Sequence, residues 1–170
     1  MSEQILLQPI QVANSDKAKE ALEKARIAHE KYLIRQQNCD LEEAIENYID
    51  AVKYDPTMPE SYYRLASLLL MKGQISIEGA LEQCQTALTL EPNNVNAHIY
   101  SGYFQCLNGN FEEAEKEFKL AVSNSGKNSA RPRLFLSKVL FSRIKNHDSS
   151  VKDVMKFLYY FLSGSMMIMW

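Results

Sequence analysis

One tryptophan, three cysteines, three histidines and six glycines are scattered through 170 residues, and each scarcity removes a class of function. Cys39, Cys84 and Cys106 are odd in number and have no paired spacing, so they encode neither a disulfide framework nor a zinc motif. With no basic and apolar leader in Met1–Ser15, this favours a reducing, cytoplasmic compartment. His29, His98 and His147 lack a Cys, Asp or Glu partner at ligand or triad spacing. Gly102 and Gly109 belong to a helix face and a turn, not to a phosphate-binding loop. The chain therefore reads as non-enzymatic, with no cofactor and no metal.

Charge of one sign is also lacking: the formal net charge is −2. Its distribution is uneven. Residues 1–126 carry 11 Lys and Arg against 19 Asp and Glu, whereas residues 127–156 carry 8 basic residues against Asp148 and Asp153. Arg131, Arg133, Lys138, Arg143 and Lys145 do not form one stripe and lack interleaved stacking aromatics, which speaks against nucleic acid as a partner. The uncharged run FLYYFLSGSMMIMW, residues 157–170, is 14 residues long, short of the roughly 20 that cross a bilayer as a helix.

What the chain does contain is helical periodicity. Over Val95–Gly126, His98, Ser101, Gly102 and Gln105 share one face, and Ala114, Phe118 and Ala121 share another. Asn108-Gly109-Asn110 separates the two patterns, with Gly109 as the stop and Asn110 as N-cap of the second helix, Glu113 standing three residues on. Gly102 and Ala114 are small where two antiparallel helices would approach closely. The pattern Ala-x-x-x-bulky-x-x-Ala occurs as Ala44-Tyr48-Ala51, Ala80-Cys84-Ala87 and Ala114-Phe118-Ala121, with leading alanines 36 and 34 residues apart. Pro56, Pro92 and Gly126 each follow the last alanine by five residues and end a helix. Tyr62-x-x-Leu65-Ala66-x-x-Leu69 precedes the second copy as His98-x-x-Ser101-Gly102-x-x-Gln105 precedes the third.

A period near 34 residues with these small and bulky positions resembles the tetratricopeptide repeat family. The resemblance covers about Lys17 to Gly126. It implies an all-α, right-handed superhelical solenoid of antiparallel helix hairpins, with the first helix of each pair lining a concave groove. Two departures stand out: the second hairpin has a longer turn, Gln74 to Gly79, and the first repeat's first helix lacks a clear small-residue match other than Ala28.

In chain order, residues 1–15 form an N-terminal arm whose Ile5–Val12 stretch either lies extended against the first hairpin or projects from it. Hairpins follow at about 16–56, 57–92 and 93–126, then a degenerate terminal hairpin at 127–163 and an apolar tail at 164–170. Asn14 or Ser15 caps a helix from about Asp16 to Gln37, and Asp40 caps Leu41 to Tyr54. A helix over Ala130–Lys145 precedes one from Val151 to about Leu162, in which Val151, Met155 and Leu158 take the places of Ala114, Phe118 and Ala121.

The implied groove is lined by Tyr63, Ser67 and Leu70, then Ile99, Tyr103 and Cys106, then Arg133, Ser137 and Leu140. Apolar and aromatic groups on such a face suit a peptide or amphipathic helix of another protein. Family members that clamp a chaperone's terminal carboxylate use Lys, Asn and Arg on these faces. Here Ser67 and Tyr103 stand in place of asparagines, and Tyr63 and Ile99 in place of basic residues, so the clamp is not encoded. A second reading is a membrane-associated or tail-anchored protein using the basic segment and apolar tail. A third is self-association through the last helix and tail.

Overall fold

The computed structural model describes residues 14–126, 129–145 and 156–161. Among these residues every regular element is a helix. α1 spans Ser15–Arg35, α2 Asn38–Tyr54, α3 Pro59–Met71, α4 Ile77–Leu90, α5 Val95–Leu107, α6 Phe111–Asn124 and α7 Ala130–Lys145. Residues 156–161 belong to an eighth helix, α8. The chain divides into two compact units, Met1–Thr57 and Met58–Trp170. The N-terminal arm before Asn14, the loop at Asn146–Ser150 and the tail 164–170 lie outside the described residues.

In the first unit α1 and α2 form an antiparallel pair, closed at its open end by the hydrogen bond from Asn14 N–H to the Tyr54 carbonyl at 3.0 Å. Asn14 caps α1, its side chain accepting from the Lys17 N–H at 3.2 Å. The turn is tight because Gln36 adopts φ 57°, a left-handed conformation uncommon outside glycine and asparagine. Ala18, Ala21, Ala25 and Ala28 are buried on α1, as are Ala44, Tyr48 and Ala51 on α2, the helix packed against it. Alanine along both seams lets the backbones come close, and Tyr48 fills the remaining volume. Ala28 thus takes the small-residue place. Asp40 does not cap α2: Gln37 holds that position, and Asp40 lies buried in the first turn, where the helix dipole favours a carboxylate.

In the second unit consecutive helices pack in order from α3 to α7, and α3 also touches α5, and α5 touches α7. The first helices of successive hairpins therefore make one row. α4 starts after five residues of connection and is capped by Ser76, whose hydroxyl accepts from the Gly79 N–H at 3.1 Å. The longer turn is real, although Gly79 is already helical. Gly109 ends α5 with φ 79°. Asn110 occupies the N-cap of α6, but its side chain makes no cap bond and donates instead to Gln105 Oε1 at 3.1 Å.

Two cores hold this unit together. Tyr63, Ala66, Ala80, Cys84, Ala87, Ala97 and Phe104 form the first, and Ile99, Ala114, Phe118, Ala121, Leu136, Val139 and Leu140 the second. Phe157 and Tyr160 of α8 pack on the second core, whereas Leu158 is exposed. The alignment placing Leu158 in the position of Ala121 is thus corrected, because α8 packs through Phe157, which meets Phe141 on α7, and Tyr160, leaving Leu158 on the exposed side. Val151 and Met155 lie outside the described residues.

Gly102 is required by close approach, but its neighbour differs from the one the sequence suggests. A Cβ at this position would stand 2.9 Å from the ring of Phe118, its nearest neighbour. Phe118 has little room to yield, since it is 1% exposed and stacked on Phe135 with centroids 5.5 Å apart. Gly102→Ala should therefore destabilise the protein by about 1–2 kcal/mol in denaturant unfolding, overpacking outweighing the gain in helix propensity. A variant as stable as the parent contradicts this packing.

His98 ties the turn before α5 to α6. Its Nδ1 lies 2.8 Å from Glu117 Oε2 and its Nε2 3.0 Å from the Pro92 carbonyl oxygen. A neutral imidazole carries one N–H, so donating to both acceptors requires the imidazolium. Hydrogen bonding to the Glu117 carboxylate raises the His98 pKa against the opposing effect of burial, and the Pro92 carbonyl reinforces it. Cys84, across on α4, also feels Glu117; burial first, then that carboxylate, pushes its thiol up to about 12, so it stays neutral. Because the folded pKa lies above the unfolded value of about 6.5, the stabilisation is complete below that pH and is lost as pH rises through the folded pKa. Unfolding free energies should fall over this range, and His98→Gln should remove that slope. An unchanged slope in the variant rules out the latch.

Candidate functional site

The row α3, α5 and α7 decides which side chains a ligand can reach. Contact between successive first helices encloses part of the lining that the repeat phase suggests. Tyr63 is buried, stacked on Tyr100 with centroids 5.0 Å apart. Burial, then the Glu60 carboxylate, pushes its phenol up to about 12. Ile99 and Leu140 are buried members of the second core. Ser137 is buried, with its hydroxyl donating to the Leu134 carbonyl at 2.8 Å. These four side chains are corrected from ligand-facing to packing positions, because the neighbouring first helix covers the phase that they occupy.

The remaining positions stay accessible. Ser67 and Leu70 on α3 are half-buried, as are Cys106 on α5 and Arg133 on α7, while Tyr103 is 45% exposed. Burial raises the Cys106 thiol above its usual pKa, so it presents a neutral, soft surface. Tyr103 and Cys106 wall a cleft of about 250 Å³, with Phe111 and Phe118 of α6 and Phe135, Lys138 and Val139 of α7. Lys138 Nζ stands 5.6 Å from the Phe135 ring centroid, placing one cation on an otherwise apolar rim.

A second cleft, of about 300 Å³, opens on the other side of Lys138 between α7 and α8. Leu134, Ser137, Lys138, Phe141, Phe157 and Phe161 line it. Phe141 and Phe157 lie 5.5 Å apart and Phe157 and Phe161 5.6 Å apart, so its wall is a file of rings.

The repeat phase misses Phe111, Phe135 and Lys138. Phe135 stands 34 residues after Ser101 and Leu136 after Gly102. Large side chains at positions filled by small ones in the preceding repeat are a sequence signal that α7 packs differently from α5. Neither cleft brings together groups for acid–base or nucleophilic chemistry, and no cluster of His, Cys, Asp or Glu that could hold a metal occurs among the described residues. No helix among them is long and apolar enough to cross a membrane.

Comparison with known proteins agrees with this architecture. Residues 36–73 match the sequence profile described as TPR repeat. The Sgt2 TPR domain from Aspergillus fumigatus superposes with a TM-score of 0.66 at 16% identity, over 84% of this chain and 89% of that one. The first TPR of Spaghetti (RPAP3) bound to the HSP90 peptide SRMEEVD gives 0.62 at 23% identity, over 75% and 96% of the two chains. The TPR2B domain of yeast Sti1 in complex with pHsp70 gives 0.60 at 21% identity, over 75% and 99%. A search of curated proteins finds no match. The threefold alanine pattern, the antiparallel hairpins and these superpositions lead to one conclusion: the chain has the all-α fold of tetratricopeptide-repeat proteins, and residues 36–73 match that repeat.

Proposed function

We propose that this protein is a non-enzymatic interaction module whose α3–α5–α7 face binds a peptide or short helix of another protein. The observation that carries the reading is the apolar cleft beside exposed Tyr103, walled by α5, α6 and α7. An aromatic side chain at the rim of an apolar recess offers large contact area at low entropic cost and a hydroxyl for the ligand backbone. Of the solved domains that share the fold, that of RPAP3 is bound to an HSP90 peptide and that of Sti1 is in complex with pHsp70. A carboxylate clamp is not the mode here, because Tyr63 and Ile99 are enclosed apolar side chains with no positive charge to offer. Ligand specificity instead comes from an aliphatic or aromatic residue seated among Tyr103, Cys106, Phe135 and Val139, with a carboxylate or carbonyl of the ligand near Lys138.

Selection of peptides from a displayed library against the whole chain tests this reading, followed by affinity measurement on the variants. Tyr103→Ala should weaken the selected peptides about tenfold, near 1–2 kcal/mol, with thermal stability retained. Tyr63→Ala should instead lower stability by about 3 kcal/mol, as removal of a buried aromatic side chain does. Selected peptides that bind Tyr103→Ala and Lys138→Glu as tightly as the parent would refute the assignment of the face.

A further inference from the structure

Lys138 lines both clefts. At 3.6 residues per turn, Phe135 and Phe141 lie about 60° to either side of it on α7. Phe135 walls the first cleft and Phe141 the second. α7 is thus a ridge with an apolar recess on each flank and an ammonium group on its crest. The crest is accessible: Lys138 is exposed, its Nζ 5.6 Å from the Phe135 ring centroid, and Phe141 is 53% exposed.

Charge decides what can lie across this ridge. The sequence of α7 contains Arg131, Arg133, Lys138, Arg143 and Lys145 and no acidic residue. Lys156 adds a further cation at the start of the described part of α8. The complement of the crest is therefore a carboxylate, and the complement of each flank is an apolar side chain. A carboxylate set between two apolar contacts meets Lys138 partly shielded from water, where salt screens the pair less.

Geometry sets the spacing. Phe135 and Phe141 are separated by about 9 Å along the helix axis and about 120° around an outer radius of about 5–6 Å, hence by about 13 Å in a straight line. An extended chain advances about 3.3 Å per residue and turns alternate side chains to one face, so residues i, i+2 and i+4 cover about 13 Å on that face. The same five residues in a helix would cover about 6 Å and leave one recess empty.

We propose that α7 is crossed by an extended acidic segment of a partner protein with the pattern apolar–any–acidic–any–apolar. One apolar side chain enters each cleft, and the carboxylate between them pairs with Lys138. This rests on the peptide-binding reading and adds to it the second cleft, the acid and the spacing.

Selection of displayed random decapeptides on the whole chain, followed by fluorescence anisotropy of the synthetic winners, tests the proposal. The winners should share the five-residue pattern. Tyr103→Ala in the first cleft and Phe141→Ser in the second should each weaken them about tenfold while circular dichroism keeps its helical signal. Lys138→Glu should weaken them likewise, and replacing the peptide's acidic residue by lysine should restore binding to that variant, a rescue that a general structural defect would not give. Winners that need Tyr103 but bind Phe141→Ser as tightly as the parent overturn the two-cleft proposal and leave the reading of the first cleft standing. Winners indifferent to both substitutions overturn both. An apolar pair at another spacing, or no rescue by the charge exchange, overturns the proposal alone. So does a dimer, seen by light scattering, that Phe141→Ser dissociates, since the occupant would then be a second copy. Selection of no peptide, with phosphatidylserine vesicles bound by the parent and released by Lys138→Glu and Phe141→Ser, also overturns it and assigns the ridge to a membrane surface.

Discussion

The ring of Phe118 occupies space that Gly102 leaves empty, and much of the second unit is arranged around that contact. One edge of the ring meets the bare backbone of α5, and its face is stacked on Phe135 of α7 with an interplanar angle of 9°. A single side chain on α6 thereby fixes its distance from both neighbours. It also forms part of the cleft beside Tyr103. The close approach of α5 and α6 and the shape of the candidate binding face are consequences of the same packing choice. Glycine inside a helix costs about 1 kcal/mol relative to alanine, a cost offset here by burial of a phenylalanine at 1% exposure.

Contact between successive first helices imposes the second constraint. Once α3 touches α5 and α5 touches α7, the residues on that seam serve the core and only what protrudes beyond it stays accessible. Tyr63 and Tyr103 show the division. The first stacks on Tyr100 inside the core, and the second, near the other end of its helix, stands at the surface. On α7, the last helix of this row, Leu136 stands at the sequence position equivalent to Gly102 on α5, and Phe135 supplies the stacking surface for Phe118. The cleft appears where small residues give way to large ones, as expected where interdigitation between repeats is interrupted.

The hairpins were legible in the sequence because their signals are local. Alanine spacing, the prolines after α2 and α4 and the left-handed glycines at Gly109 and Gly126 each act within a few residues. The candidate site was legible only in part. Tyr103, Cys106, Ser67, Leu70 and Arg133 lie on accessible parts of the row, but helical phase alone could not separate Tyr103 from Tyr63, Ile99, Ser137 and Leu140. That separation depends on contacts between helices more than 20 residues apart, which no local pattern records. Phe111 and Lys138 were missed for a related reason: the cleft joins three helices, and these residues lie outside the phase that the repeat assigns to its groove. The caps show the same limit on a smaller scale, Asp40 and Asn110 having suitable side chains whose bonding is decided by tertiary neighbours.

Gly102 and Phe118 form one interaction shared by two helices. A double-mutant cycle tests it most directly, with unfolding free energies measured for Gly102→Ala, Phe118→Leu and the two together. The smaller leucine side chain should make room for the added methyl group, so the double variant should be more stable than the sum of the single effects implies, by about 1 kcal/mol or more. Effects that add to within about 0.5 kcal/mol would show the two positions to be independent and would contradict the account.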